Sequence, residues 1–321
     1  MGNSSNTSRR DFITKTSMVA AGLTLGTNAI PHIETRNLSN TRKIHAFSKA
    51  LHWMNYNDMS ALLAEAGFEG IDLTVRPDGH VLPENVERDL PKAVEAARKK
   101  GLAIDMIVTA INNADDPLSE RILKTASSVG VKYYRMGYLD YNEKDGIWNS
   151  LQKMKPGLKK LEALNRKYKI HGAYQNHYGR RVGGPSWDLF ELLKDLDPAY
   201  IGCQYDVRHA VAEGGSTWIL GLKLLAPWVK CTVLKDFHWM KVNEKWNPVT
   251  VAMGQGMVNF DEYFSVVNQY NIAGPVSVHL EYPPFEKDPK EYPEDEKRKL
   301  FLDGMRKDLE FIRNSITKYS L

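Results

Sequence analysis

Short apolar runs alternate along the chain with longer stretches in which apolar positions recur at helical spacing. Apolar runs of this length predict buried strands, and the amphipathic stretches between them predict helices. From residue 43 onward the alternation continues through eight strand–helix pairs. The predicted strands are Ile44–Phe47, Gly70–Val75, Ala103–Thr109, Val131–Met136, Ile170–Tyr174, Tyr200–Tyr205, Val229–Lys235 and Pro275–Leu280.

The stretches between these strands carry recognisable helix ends. Three of them have a glycine one or two residues after their last residue, at positions 67, 101 and 130, and glycine readily adopts the left-handed conformation that closes a helix. The predicted helices are Asn57–Ala66, Pro83–Lys99, Leu118–Ser128, Ile147–Tyr168, Ser186–Leu193, Thr217–Ala226, Phe260–Tyr270 and Pro293–Ile316.

Eight consecutive strand–helix units predict an α/β fold, and specifically a closed (β/α)8 TIM barrel. No glycine-rich phosphate loop follows the first predicted strand, which disfavours an open dinucleotide-binding sheet. The longest irregular stretch, residues 236–255, falls between the seventh strand and the seventh helix. We expect it to cover the barrel mouth, together with a second polar stretch at residues 282–296.

The first residues differ in character from the rest of the chain. Arg9 and Arg10 are followed by Phe12 and Lys15 and then by a weakly apolar segment, a pattern typical of a twin-arginine export signal. That segment is shorter than the roughly 20 residues that span a bilayer, so no stable membrane insertion is expected. The sequence therefore predicts a signal segment at 1–29, a linker at 30–42, a barrel domain at 43–321 and export to the periplasm.

Charge and cysteine content narrow the class of protein. The formal net charge is +4, and the predicted signal accounts for half of it because it contains three basic residues and one acidic residue. A nearly neutral mature chain gives no reason to expect nucleic-acid binding. The two cysteines, Cys203 and Cys231, are too few for a disulfide framework and fall in predicted strands, so both are expected to be buried thiols.

Polar side chains gather where the predicted strands end, which is where TIM barrels carry their functional residues. Six of the eight strands end in this way. The residues lie in or just after the last part of each strand: Asp72 and Arg76 for strand two, Arg135 for strand four, Gln175, Asn176 and His177 for strand five, Asp206, Arg208 and His209 for strand six, Lys235, Asp236 and His238 for strand seven, and His279 and Glu281 for strand eight.

The order of these strand ends resembles one family of barrels. It is similar to the xylose-isomerase-like sugar isomerase/epimerase family, in which strand five reads Glu-Asn-His, strand six ends in Asp with His three residues later, strand seven reads His-x-Lys-Asp and strand eight ends in Glu. This chain has Gln175-Asn176-His177, Asp206 with His209, Val233-Leu234-Lys235-Asp236 and Glu281. Residues 67–72 and 254–260 also resemble segments of that family, so the likeness covers the whole predicted domain.

The resemblance implies a divalent metal (manganese, magnesium, zinc or cobalt) held by the Glu, Asp, His and Glu of strands five to eight. Two of these four positions differ, because strand five carries Gln175 and the strand-seven position falls on Val233. An amide oxygen can still bind a hard cation, whereas valine offers no donor. The expected metal ligands are therefore Gln175, Asp206 and Glu281, which His177, His209 or His279 could join, and the alternative is a site that binds its ligand through hydrogen bonds alone.

The same differences alter the expected chemistry. The family's epimerisation uses two glutamates on opposite sides of a sugar, and glutamine cannot accept a proton. The expected reaction therefore has one carboxylate base, Glu281, which removes the proton next to a sugar carbonyl, leading to isomerisation or epimerisation, or to elimination or hydration of a keto-sugar. The remaining expected catalytic residues are His177, His209 and Lys235, and the expected substrate-binding residues are Arg76, Arg135, Asn176, His279 and Trp53.

Two other functions are alternatives to a carbohydrate enzyme. The substitutions at Gln175 and Val233 also fit a catalytically silent barrel that only binds a sugar. An abasic-site endonuclease shares the fold ancestry but requires more metal ligands and a basic surface for DNA. The expected partner is a small carbohydrate, and a homodimer is compatible with a barrel of this size. Five aromatic residues that fall mostly on predicted barrel-mouth loops could stack on the sugar or pack in the core or rim: Trp53, Tyr138, Trp187, Trp239 and Trp246.

Overall fold

A computed structural model describes residues 42–321 of the chain, except for the side chains of residues 289, 294 and 295. Eight parallel strands close into a barrel with helices between them, which confirms the predicted (β/α)8 TIM barrel. The predicted signal at 1–29 and all but the last residue of the predicted linker at 30–42 lie outside the described residues, so export stays a prediction. Within the described range no helix is long and apolar enough to cross a membrane.

Strands β1 to β7 follow one another around the barrel, and β10 closes it between β7 and β1. The remaining two strands, β8 and β9, form a separate antiparallel pair. The strands are β1 Ile44–Phe47, β2 Gly70–Thr74, β3 Ala103–Val108, β4 Tyr133–Arg135, β5 His171–Gln175, β6 Ile201–Asp206, β7 Val229–Leu234, β8 Asp236–Val242, β9 Lys245–Val251 and β10 Val276–Val278.

Nine α-helices surround the barrel in the described part of the chain. Several begin at side-chain caps: Asn55 accepts from the backbone N–H groups of residues 57 and 58, and Asp116 from that of residue 118. The helices are α1 Tyr56–Ala66, α2 Val86–Lys99, α3 Pro117–Ser128, α4 Gly146–Tyr168, α5 Ser186–Leu193, α6 Val207–Gly214, α7 Trp218–Leu225, α8 Phe260–Gln269 and α9 Glu294–Lys318.

Helix α6 is absent from the elements predicted by periodicity. It begins directly after β6, because the Asp206 carboxylate accepts a hydrogen bond from the backbone N–H of His209 and so caps the first turn. An aspartate at this position is a helix start signal. The apolar run that precedes it hides that signal, because the two elements are joined without an intervening turn. The consequence is that Arg208 and His209 lie on the first turn of a helix.

The stretch at 236–255, expected to be irregular, is mainly the antiparallel hairpin β8–β9. Its turn residues Asn243 and Glu244 both have positive φ, as a tight hairpin turn requires. At its base the Asp236 carboxylate accepts hydrogen bonds from the backbone N–H groups of Phe237, Gly256 and Val258. Proline at 248 and the many charged residues obscure the strand pattern, which is why sequence periodicity missed this hairpin.

The core divides into a large apolar layer between barrel and helices and a small group inside the barrel. Met106, Ala173 and Cys231 form the inner group, and Cys203 is buried in the outer layer. Both cysteines are buried and unpaired, which confirms their prediction as strand thiols. With its interior filled in this way, the barrel can offer a site only at its mouth.

Asp308 on α9 joins two segments that lie over the barrel mouth. Its carboxylate accepts a hydrogen bond from the backbone N–H of Met253 at 3.0 Å and one from the Tyr282 hydroxyl at 2.7 Å. Burial raises the pKa of Asp308 from 3.8 to about 6. In that pH range the folded chain therefore keeps a proton that the unfolded chain releases, so this group's contribution to stability falls as pH rises from about 4 to about 6.

Asp308→Asn is expected to reduce the fall in unfolding free energy between pH 4 and pH 7, because asparagine does not ionise. A rise in pKa from 3.8 to about 6 corresponds to roughly 3 kcal/mol. Urea denaturation at several pH values measures the difference between variant and parent, and Asp303→Asn on the exposed side of the same helix serves as the control. Parallel pH curves for Asp308→Asn and the parent would contradict the assignment.

Candidate active site

The C-terminal ends of β6, β7 and β10 bring three of the predicted site residues around the buried ammonium group of a fourth, Lys235. Lys235 Nζ lies 3.0 Å from Asp206 Oδ2 and 3.1 Å from Glu281 Oε2. It also lies 3.0 Å from His209 Nε2. Lys235 is only 4% exposed. Burial lowers its pKa, but the two carboxylates more than offset this and the net direction is upward, so Lys235 is charged at neutral pH.

Gln175 lies beside this cluster with its amide fully engaged. Its Oε1 accepts hydrogen bonds from Arg135 Nη1 at 3.1 Å and from the Tyr138 hydroxyl at 2.8 Å. Its Nε2 donates to Asp206 Oδ2 at 2.9 Å. The oxygen expected to bind a metal thus faces two donors, and the nitrogen faces the carboxylate.

Asp206 is held in place through both its side chain and its backbone. Asn176 Nδ2 donates to the backbone carbonyl of Asp206 at 2.9 Å, and Asn176 Oδ1 accepts from the Asp206 N–H at 2.7 Å. Both amide atoms of Asn176, predicted to bind substrate, are therefore used to fix the end of β6 against β5.

Glu281 is the carboxylate of the cluster that reaches solvent, with 20% of its side chain exposed. Its Oε1 accepts from Lys49 Nζ at 2.9 Å, and its Oε2 from Lys235. Burial acts to raise the pKa of Glu281, but Lys235, His279 and Lys49 together hold it well below its usual range. Glu281 is therefore ionised at neutral pH and can accept a proton.

The two predicted catalytic histidines, His177 and His209, pack against each other with ring centroids 3.9 Å apart and ring planes inclined at 34°. Burial is the main cause that lowers the pKa of both, so both are neutral at pH 7. His177 Nδ1 lies 2.8 Å from the Tyr178 carbonyl, which assigns the proton to Nδ1 and leaves Nε2 as an acceptor. His177 thus offers a second proton-accepting nitrogen at the mouth.

Arginine side chains line the opposite side of the mouth. Arg76 follows β2 and is partly buried. Burial and then the nearby charge of Arg135 lower its pKa, while Glu281 acts in the opposite direction, which places all three groups within electrostatic reach. Among the described residues the Arg76 guanidinium makes no side-chain hydrogen bond. Arg76 is therefore available to an oxygen of a bound ligand.

Two of the predicted substrate-binding residues, His279 and Trp53, lie away from the Lys235 ammonium. His279 is buried and stacks on Phe47, with its Nδ1 3.9 Å from Glu281 Oε2. Trp53 is 40% exposed and packs edge-on against Phe301 of α9. Neither contacts the central ammonium, so the predicted roles of both in substrate binding stay predictions.

Two site residues went unassigned in the sequence. Lys49 lies in a short 3-10 helix, Ser48–Leu51, just after β1, and a basic residue after the first strand is the signal that could have identified it. Tyr138 is predicted only as an aromatic residue of a barrel-mouth loop, whereas in the structure its hydroxyl donates a hydrogen bond to Gln175 Oε1. Arg208, although noted at the end of β6, donates to the backbone carbonyl of Pro248 and so links the site to hairpin β8–β9.

The donors at this site do not fit a divalent cation. Val233 is fully buried and carries no donor, and Gln175 Oε1 is already bound by two donors. Of the four ligand positions that the resemblance implies, only the carboxylates of Asp206 and Glu281 remain, and the Lys235 ammonium lies between them. Among residues 42–321 no group of three or more His, Cys, Asp or Glu side chains is arranged to hold a metal.

The geometry defines a parallel TIM barrel with a charged polar site at the C-terminal ends of its strands. The family model described as xylose isomerase-like TIM barrel matches residues 60–312. Because this match covers most of the chain, the protein belongs to that family, as its strand-end motifs predicted.

Individual relatives are distant. An inosose dehydratase from Bacillus anthracis (strain CDC 684 / NRRL 3495) is 28% identical over 152 residues, which cover 44% of this chain and 50% of that protein. The chain thus spans about half the length of the curated relatives it matches.

Solved structures share the fold at low identity. The IOLI protein with a binding zinc atom has a TM-score of 0.63 and 17% identity, covering 86% of this chain and 99% of that chain. D-psicose 3-epimerase with D-tagatose from Clostridium cellulolyticum H10 has a TM-score of 0.61 and 10% identity, covering 85% and 99%. These likenesses support the barrel fold.

Proposed function

We propose that this protein removes the proton next to the carbonyl group of a keto-sugar, with Glu281 as the base. The observation that carries the proposal is the position of Glu281, whose partly exposed carboxylate is fixed by Lys235 and Lys49 at the barrel mouth. A fixed carboxylate at a strand end is suited to general base catalysis.

The residues around Glu281 support the rest of the reaction. Proton removal places negative charge on the carbonyl oxygen, and fixed cations near that oxygen stabilise it. Arg76 is available for this role because its guanidinium makes no side-chain hydrogen bond to a described residue, and Arg135 lies near it. Exposed tryptophans at the mouth, such as Trp53, could pack on a sugar ring.

The proton on Glu281 can then take one of two routes. If it returns to the neighbouring carbon, the product is an isomer of the substrate. If it leaves with the β-hydroxyl group as water, the product is an unsaturated ketone. Elimination is the route supported by similarity to inosose dehydratases. It also requires only one carboxylate base, in agreement with the glutamine at position 175.

Incubation with keto-inositols and keto-hexoses in deuterated water tests the proposal. We expect deuterium to replace the proton next to the carbonyl, as followed by proton NMR, and elimination to produce the ultraviolet absorbance of a conjugated ketone. Calorimetry with the same compounds measures binding separately. Binding of a sugar with neither exchange nor elimination would replace the proposal with a catalytically silent sugar-binding barrel. Gln175 and Val233 are also compatible with that function.

A further inference from the structure

The central feature of the site is Lys235, the lysine of the strand-seven motif, whose side chain here lies between the two retained ligand carboxylates, where the family resemblance implies a metal ion. Two of the four implied ligand positions, Asp206 and Glu281, are retained and face the same point in space. That point is occupied by Lys235 Nζ, at 3.0 Å and 3.1 Å from their nearest oxygens. These are distances of charge-assisted hydrogen bonds.

The other two positions have changed in a way that suits an ammonium group. Gln175 donates a hydrogen bond to Asp206 Oδ2, the oxygen that also accepts from Lys235. A glutamate here would place a third carboxylate beside Asp206. Val233 precedes Lys235 by two residues on the same face of the strand. Its apolar side chain offers no metal ligand, so the positive charge that this end of β7 brings to the site is the Lys235 ammonium.

The partners of the ammonium match its hydrogen-bonding capacity. A lysine ammonium has three N–H donors; two face the carboxylate oxygens Asp206 Oδ2 and Glu281 Oε2, and the third faces His209 Nε2, which accepts in the tautomer that carries its proton on Nδ1. Displacement by a metal would require this buried lysine to leave all three partners while remaining enclosed. An unpaired buried charge is strongly unfavourable, so the arrangement resists exchange for a metal.

We propose that Lys235 replaces the divalent metal: its ammonium holds Asp206 and Glu281 together, and the site is complete without a bound metal ion. Lys235 is then a positioning residue, which fixes the direction of the Glu281 carboxylate while Arg76 faces the ligand. This inference concerns the composition of the site, and it holds or fails independently of the proposed reaction.

Metal analysis of the unmodified protein is the first test. The full chain is expressed in medium supplemented with manganese, zinc, cobalt and magnesium, dialysed, and analysed by mass spectrometry for metals. We expect a substoichiometric content, no heat of binding when each metal is titrated in, and the same melting temperature with or without EDTA. One tightly bound metal ion per chain would overturn the proposal.

Removal of the ammonium is the second test. In Lys235→Met/Gln175→Glu, three carboxylates surround a site without its cation, and we expect zinc or manganese to raise the melting temperature by about 4 °C or more through binding to the folded state. The control is Lys49→Met/Gln175→Glu, which removes a different positive charge from Glu281 and keeps Lys235. We expect no such rise in the control.

The outcomes separate clearly. A metal-dependent rise confined to the Lys235 variant supports the proposal, and an equal rise in the control or in the parent overturns it. If the Lys235 variant does not fold, the metal content and titrations of the parent decide alone. Wherever a substrate is known, insensitivity of its turnover to EDTA gives a further readout, and loss of turnover on chelation counts against the proposal.

Discussion

Glu281→Gln lowers the rate of deuterium exchange into a keto-sugar by about 100-fold or more, the loss typical for removal of a general base. Glutamine keeps the size of the side chain and one acceptor oxygen, which can accept a hydrogen bond from one of the two ammonium groups, Lys49 or Lys235. It cannot accept the substrate proton. Calorimetry is therefore expected to show sugar binding within a few-fold of the parent, while proton NMR shows the loss of exchange.

The neighbouring carboxylate Glu286 provides the control for this variant. Residue 286 is exposed at the surface. Partial burial of its carboxyl group and then the negative charge of Glu281 raise the pKa of Glu286, so the two carboxylates lie within electrostatic reach. Glu286→Gln removes a negative charge from the same loop while leaving Glu281 in place, and it is expected to retain exchange. Similar losses in the two variants would show that charge near the mouth, and not the Glu281 base, determines the rate.

Asp206→Ala is expected to destabilise the fold by roughly 3–5 kcal/mol, because it leaves the buried Lys235 ammonium with one carboxylate partner instead of two. The same substitution removes the acceptor of the Gln175 amide and the cap of helix α6. Urea denaturation followed by far-ultraviolet circular dichroism measures the loss.

An exposed ion pair gives the comparison for Asp206. Asp303 pairs with Lys299 on the surface of helix α9, and exposed pairs of this kind contribute at most about 1 kcal/mol. Asp303→Ala is therefore expected to cause a small change in the free energy of unfolding. If Asp206→Ala were no more destabilising than Asp303→Ala, the buried network would not be the structural element described above.

The barrel itself was predictable because its signal is local. Each strand is a short apolar run and each helix an amphipathic one, so the sequence predicts their order without knowledge of any distant contact. The ends of short strands were less accurate: Val131–Met136 was predicted, and β4 is Tyr133–Arg135. Polar strand ends also predicted most of the residues now found around Lys235.

The parts that sequence analysis missed depend on contacts between distant residues. Lys49 and Glu281 are 232 positions apart and meet only because the barrel closes between β1 and β10. Likewise, Lys235 was expected to be a catalytic group near a metal. Its place between two carboxylates follows from the register of β6, β7 and β10, which no single segment of sequence specifies.

The capping of helix α6 by Asp206 has a consequence for how the site assembles. One oxygen of this carboxylate accepts from the backbone N–H of His209, and the other accepts from Lys235 and Gln175. The first turn of the helix and the charged cluster therefore share a single side chain and form or open together. We therefore expect the rate of hydrogen exchange at the backbone amide of His209 to measure how often the whole site opens.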